Sequence, residues 1–226
     1  MKILVTAGPT REAIDPVRFI SNRSSGKMGY AIAAAAQKRG HRVRLISGPV
    51  ALGCPKGVRR IPVLSAEEMR VAVEREAAWC RALVMAAAVA DWRPKRVSPR
   101  KLKKRRMPRS LPLERTPDIL QCIAGSKGRR LFVGFAAETD HLLAEAQRKL
   151  RAKKLDLLVA NDVSRPDSGF DVDTNKVWFV TPDEAPVEFP VMSKAAVARR
   201  IVEWIEREDE GGRARKTAEG GANREP

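Results

Sequence analysis

The sequence predicts an α/β protein: a doubly wound, mostly parallel sheet with helices on both faces and a C-terminal β-hairpin. Three observations carry this prediction. Short apolar runs alternate with helical patterns along most of the chain. One run, "ALVMAAAVA" (82–90), is continuously apolar, as a strand covered on both faces is, and "LDLLVAND" (155–162) reads as another buried strand. Two late runs, "NKVWFVT" (175–181) and "APVEFPV" (185–191), lie close enough in sequence to form a hairpin.

The elements follow in order. "KILVTAG" (2–8) is a first strand ending at glycine. "GYAIAAAAQKRG" (29–40) is a helix closed by Gly40, and its alanines permit close approach to a sheet. "HRVRLISG" (41–48) and "VRRIPV" (58–63) are the next strands. Ser65 caps a helix over "AEEMRVAVEREAAW", with Glu67 and Glu68 in its first turn. After the strand at 82–90 comes a basic stretch with little apolar periodicity. Thr116-Pro117-Asp118 opens the helix "DILQCIAG", with Thr116 as N-cap and Pro117 at the first helical position. "LFVGFA" (131–136) is a strand, "TDHLLAEAQRKLRAKK" (139–154) an amphipathic helix, and 155–162 another buried strand. Ser193 caps the last helix, "KAAVARRIVEWIERE". This alternation is Rossmann-like.

One domain is expected over 1–207, with a flexible basic lid loop at 92–115 and a disordered, Gly-rich tail at 208–226. At 226 residues, 43% of them hydrophobic, the chain can bury a sizeable core. No apolar run reaches the roughly 18 residues that span a bilayer. The start "MKILVTAG" turns at Gly8-Pro9 and does not read as a signal peptide. A cytoplasmic protein with no membrane association is expected. Three cysteines without a C-x-x-C or Cys/His cluster argue against a disulfide frame or zinc site. Isolated reduced thiols in or near the core are expected instead. The net charge is +17, and 93–115 holds eleven Lys/Arg against one Glu. The partner is therefore expected to be anionic: a nucleic acid or a small polyphosphate.

In such folds ligands bind at the carboxyl ends of the strands. That rule selects Gly8 onward, Ala87–Asp91, Phe135–Thr139 and Asn161-Asp162. "SNRSSGKMG" (21–29) resembles a phosphate loop but fits neither the Walker pattern nor the full G-x-G-x-x-G fingerprint. Ser24, Ser25, Gly26 and Gly29 precede a helix, where hydroxyls and free N–H groups favour an anion. The same residues also suit an ordinary capping loop. Asn22 suits an Asx turn, or a donor to a reacting carbonyl. Asp91 suits either a ligand acceptor or a turn cap. Phe135 suits either the core or stacking on a base. Lys101, Lys103 and Lys104 suit a solvated loop, or a lid in which one lysine reaches phosphates. Lys149 and Lys153 share a helix face, as a solubilising stripe or as nucleotide contacts.

"DPVRFISNRSSGKMG", "AAAVADWRP", "KLKK", "TPDIL", "VGFAAET" and "LVANDVS" occur in one order over about 200 residues. Together they resemble phosphopantothenoylcysteine synthetase, the coenzyme A pathway ligase, in a free-standing form. The resemblance implies that 4′-phosphopantothenate, L-cysteine and a nucleoside triphosphate are joined through an acyl-nucleotide. The motifs are of the bacterial type, which implies CTP with Mg²⁺ held mainly by the triphosphate, and no flavin. It implies that Asn22 and Lys101 are catalytic, Asn22 at the reacting carboxyl and Lys101 on the triphosphate. Gly8, Ser24, Gly26, Gly29, Ala87, Asp91, Lys101, Pro117, Asp118, Ile119, Leu120, Phe135, Lys149 and Lys153 would bind the nucleotide. Arg18, Asn22, Ala87, Ala88 and Asp91 would bind phosphopantothenate, Arg18 from the neighbouring subunit of a homodimer. A separate phosphopantothenoylcysteine decarboxylase is a candidate partner, and nucleic acid is not. Lys27 receives no catalytic role.

Two rivals compete. A nicotinamide- or flavin-dependent oxidoreductase lacks its full glycine fingerprint here, and Ser47 stands where an acidic residue would close the second strand. A nucleic-acid-binding protein is suggested by the charge, but 92–115 carries one aromatic, Trp92, at its edge.

Overall fold

The computed structural model describes residues 1–106, 109–138, 141–162, 169 and 172–221. Six parallel strands form the body of one sheet: β1 (Lys2–Ala7), β4 (Arg42–Ser47), β5 (Arg59–Pro62), β6 (Ala82–Met85), β9 (Leu131–Glu138) and β10 (Leu157–Asp162). The order across the sheet is β5-β4-β1-β6-β9-β10, continued by antiparallel β12 (Val177–Val180) and β13 (Val187–Glu188). The parallel part follows the doubly wound order, whose connections reverse direction between β1 and β6. Three two-stranded ribbons complete the architecture: β2 (Arg11–Ala13) with β3 (Phe19–Ser21), β7 (Trp92–Pro94) with β8 (Leu113–Arg115), and β11 (Thr174–Asn175) with β14 (Met192–Ser193).

Among the described residues, five α-helices cover the sheet: α1 (Lys27–Lys38), α2 (Ala66–Ala77), α3 (Ile119–Ala124), α4 (Leu142–Ala152) and α5 (Lys194–Gly221). Helices α1 and α5 bury Ile32, Ala33, Ala36, Val197, Ile201 and Ile205 on one face, against Val5, Val84 and Val159. Helices α2, α3 and α4 bury Met69, Val73, Ile123, Ala146 and Leu150 on the other, against Leu4, Leu83 and Leu158. Both faces of the central strands are dry, so their sequences read as continuous apolar runs.

The sheet and the long helices match the sequence, with instructive differences at their ends. Helix α1 begins at Lys27, after Gly26 in the left-handed region (φ 77°). Gly40 closes it, also left-handed, and its N–H donates to the Gln37 carbonyl. The run 82–90 is a strand only to Met85. Beyond it the Ala87 and Ala90 N–H groups donate to the hydroxyls of Thr6 and Thr10, at 3.2 and 3.0 Å. Alanine composition cannot distinguish a ladder from a loop held by side chains. Thr116 does not cap α3. Its hydroxyl donates to the Ala90 carbonyl at 2.5 Å, so it closes the β7–β8 ribbon, and Asp118 caps instead by accepting from the Gln121 N–H at 3.2 Å. Ser65 and Ser193 cap α2 and α5 as expected.

The basic stretch has several ties among its described residues. Its ends are zipped by β7 and β8, with Arg93 and Glu114 paired at 2.8 Å. Its middle is tied to the β2–β3 ribbon, where the Ser98 N–H donates to the Ile14 carbonyl at 3.0 Å. Helix α5 runs to Gly221, through the stretch where the sequence predicts a disordered tail. Asp209 is buried there and pairs with Arg81 at 2.5 Å, so order extends beyond Glu208. Of the cysteines, only Cys80 is buried; Cys54 and Cys122 are exposed, contrary to the expected core placement.

Candidate functional site

The carboxyl ends of β6, β9 and β10 open into a cleft of about 380 Å³ beside the switch point. Its floor is Met85–Val89, Phe135–Ala137 and Asn161. One wall is Asn22 and Ser24–Met28, leading into α1, together with Gly169, Asn175 and Lys194. The other wall is Thr116–Leu120 with Lys149 and Lys153.

Hydrogen bonds tie the switch point together. The Ala88 N–H donates to the Gly8 carbonyl at 2.9 Å, and the Thr10 N–H to the Ala88 carbonyl at 3.3 Å. Asn22 completes this arrangement: its Nδ2 donates to the carbonyls of Val89 and Ala88, at 3.0 and 3.3 Å. It is therefore a bridge between the phosphate-type loop and the alanine loop. Ala87 and Ala88 present nothing beyond a methyl group, so a ligand can approach their backbone closely.

Of the residues singled out from the sequence, the cleft gathers Asn22, Ser24, Gly26, Ala87, Ala88, Asp91, Pro117, Asp118, Ile119, Leu120, Phe135, Lys149 and Lys153. Phe135 serves both readings, packed against the α1/α5 core and lining the cleft. Lys149 and Lys153 sit at the C-terminal end of α4, away from the helix start at the sheet edge. They still line the cleft, because helical side chains tilt toward the N-terminus. Lys153 pairs with Asp118 across the two helices at 3.0 Å.

Of the residues that the resemblance assigns to ligands, four lie outside the lining. Gly8 and Gly29 stand behind it and have packing reasons to be glycine. Gly8 turns the chain at φ 73°, and a Cβ on Gly29 would lie 2.5 Å from the Ala7 Cβ. The latter is the close helix–strand approach that the third fingerprint glycine provides. Arg18 is drawn to Asp15, its Nη2 2.5 Å from Oδ2, and also donates to the Leu102 carbonyl at 2.8 Å. Lys101 is exposed on the basic segment, and next to it the Leu102 N–H donates to Asp15 at 3.1 Å. The Arg18 guanidinium holds the buried Asp15 carboxyl far below the usual carboxylate range. This Asp15–Arg18–Leu102 knot fixes where the chain carrying Lys101 departs. Thr139, at the predicted end of a site strand, lies outside the described residues, as do Val163 and Ser164 of "LVANDVS".

The cleft also contains residues to which the sequence reading gave no ligand role: Lys27, Met28, Thr116, Gly169, Asn175 and Lys194. Lys194 is buried, and its Nζ donates to the carbonyls of Gly169 and Val172, at 2.9 and 2.5 Å. A signal existed: Lys27 and Lys194 both open helices, where a cation opposes the macrodipole. Asn161 is where the strand-end rule placed it.

The arrangement suits a polyanion carrying a planar ring. Among the described residues, four lysines, two serines and the start of α1 face a cleft whose carboxylates are Asp91 and Asp118. Among the described residues no group of three metal-ligating side chains gathers. No described helix is long and apolar enough to cross a membrane. Ser47 ends β4 buried, beside the Tyr30 hydroxyl at 3.0 Å, so the position that would bind a dinucleotide ribose offers no carboxylate.

Residues 1–208 match the family model described as DNA/pantothenate metabolism flavoprotein C-terminal domain. The coenzyme A biosynthesis bifunctional protein CoaBC of Bacillus subtilis (strain 168) is 50% identical over 204 residues, covering 90% of this chain and 50% of that protein. The protein of the same description from Escherichia coli (strain K12) is 43% identical over 209 residues, covering 91% and 51%. A crystal structure of the C-terminal domain of a CoaBC bifunctional protein superposes with a TM-score of 0.80 at 42% identity, covering 93% of this chain and 96% of that one. The chain spans about half the length of the curated relatives it matches. None of these likenesses favours an oxidoreductase.

Proposed function

Since the chain belongs to the DNA/pantothenate metabolism flavoprotein C-terminal domain family, we propose that it is a phosphopantothenate–cysteine ligase of coenzyme A biosynthesis. The observation that supports this reading best is the cleft itself. Asn22, the serine–glycine loop, Asp118–Leu120, Phe135 and the lysine pair of α4 come from separate stretches and meet around one space.

In this reading the carboxylate of 4′-phosphopantothenate attacks the α-phosphorus of CTP. Acyl-cytidylate forms and diphosphate leaves. The cysteine amine then attacks the acyl carbon, an amide bond forms, and CMP leaves. Both steps build negative charge on oxygen, which fixed donors and cations stabilise. The Asn22 amide carries two N–H groups. One keeps its bond to the Val89 carbonyl while the other leaves the Ala88 carbonyl for the reacting carboxyl. Phe135, Asp118–Leu120, Lys149 and Lys153 hold the nucleoside end. Ser24, Ser25 and the N–H groups at the start of α1 receive phosphates. Lys101 swings in from the basic segment, with the knot at Leu102 as its hinge.

Mg²⁺, when bound, neutralises phosphate charge. Asp118 is already paired with Lys153, so the lining fits a metal carried mainly by the triphosphate. A homodimer is part of the proposal. Val17, Phe19, Trp92, Val97 and Leu113 are exposed on the two ribbons that carry Arg18 and border the Lys101 segment. A second copy covering them would bring Arg18 to its neighbour's phosphopantothenate. The cytoplasm is the expected location, and a phosphopantothenoylcysteine decarboxylase the expected partner enzyme.

The test is product formation by purified protein. CMP and diphosphate should form only when CTP, 4′-phosphopantothenate and cysteine are all supplied with Mg²⁺, and acyl-cytidylate should accumulate when cysteine is left out. A folded dimer that gives neither product nor intermediate would overturn the proposal. Replacing CTP by ATP in the same assay decides the nucleotide.

A further inference from the structure

Helix α1 starts with an unusual charge arrangement. Its first residue is Lys27 and its first turn holds no acidic residue. A helix N-terminus favours carboxylates, so this one carries an uncompensated positive charge. The counter-charge comes from Asp173, far along the chain, whose Oδ1 lies 2.7 Å from the Lys27 Nζ. Hydrogen bonding to Lys27 holds the Asp173 carboxyl below its ordinary range. The lysine side chain is 36% exposed and lines the cleft, whereas the aspartate is 84% exposed.

The backbone beneath Asp173 is anchored without its carboxylate. The Asp173 carbonyl accepts from the Lys194 N–H at 2.9 Å. The buried Lys194 ammonium holds the carbonyls of Gly169 and Val172. The Asp173 side chain can therefore leave Lys27 without releasing its segment.

We infer that Lys27 binds the outer phosphates of the nucleotide and the diphosphate product, and that Asp173 is a resident counter-ion that the incoming phosphate displaces. The inference rests on the ligase reading and assigns a residue within it. Asn22 and Lys27 both line the cleft, with Ser24 and Ser25 between them along the chain, so in the ligase reading Lys27 is given the phosphates beyond the reacting one. An exposed ion pair is worth little in water. A phosphate brings more charge and forms shorter, stronger hydrogen bonds with an ammonium. The exchange therefore runs toward phosphate, and Asp173 acts as a weak competitor for Lys27.

The test is calorimetric titration of inorganic diphosphate and of CTP into the full chain, as wild type, Asp173→Asn, Lys27→Met and the double variant. Removing the competitor should tighten diphosphate binding by up to about five-fold. Lys27→Met should weaken it by about ten-fold. In the Lys27→Met background, Asp173→Asn should change nothing, because its effect requires the lysine. A purely structural ion pair gives a different pattern: both single variants weaken binding, or neither moves it. Either result overturns the inference. A folded wild type that binds neither CTP nor diphosphate removes the ligase reading, and this assignment with it.

Discussion

Lys153, the C-cap of α4, reaches Asp118, which caps α3, with Nζ and Oδ2 3.0 Å apart. The other carboxylate oxygen of Asp118 accepts from the Gln121 N–H at 3.2 Å. One side chain thus both starts a helix and positions a cleft lysine, and the two tasks separate by mutation. Asp118→Ala should lose about 1 kcal/mol of stability with the cap. Lys153→Met should cost less than about 1 kcal/mol, since the pair is about a third exposed. It should nonetheless weaken CTP binding by about ten-fold. Urea denaturation beside nucleotide titration checks both.

Gly29→Ala probes packing rather than ligand contact. The new methyl would lie 2.5 Å from the Ala7 Cβ and 2.8 Å from the Thr6 carbonyl oxygen, so α1 must move off β1. Overpacking of this kind costs about 1–3 kcal/mol. The expected result is a lower urea midpoint with an unchanged slope. A variant as stable as wild type would show that the helix relaxes freely.

The Asp15–Arg18–Leu102 knot makes stability depend on acid. Pairing lowers the folded-state pKa of Asp15, with Arg18 the largest cause. Its contribution is therefore present above the unfolded carboxylate value of about 4 and is lost as pH falls below it. Asp15→Asn should lower stability at pH 6 and flatten its decline between about pH 4 and pH 2. It should also speed tryptic cleavage near Lys101 and Lys103, because the segment loses its tether at Leu102. Urea melts across pH and timed proteolysis read the two effects.

The cysteines should divide by burial. Burial pushes the Cys80 thiol up to about 11, while Cys54 and Cys122 are exposed. A thiol reagent at pH 8 should label two residues quickly and reach Cys80 only in denaturant, as mass spectrometry of peptides would show. Rapid labelling of Cys80 in the native protein would mean that α2 opens from the sheet.

By itself the sequence determined the architecture and named much of the cleft's lining. Continuous apolar runs such as "LLVA" in β10 require cover on both faces, and that forces a doubly wound parallel sheet. Strand ends then marked Ala87, Asp91, Phe135 and Asn161 by position alone, and ordered motifs added Asn22 and the α4 lysines. Tertiary structure alone decided the rest. Whether Thr116 or Asp118 caps α3 depends on a carbonyl of Ala90, which local propensity cannot see. Gly29 and Gly26 look alike in sequence, yet one is set by the nearness of β1 and the other lines the cleft. Lys27 meets Asp173, and Lys194 meets Gly169, because the ribbon of β11 and β14 brings the last helix back to the first. Periodicity records which face a residue buries; it does not record which distant charge will stand opposite.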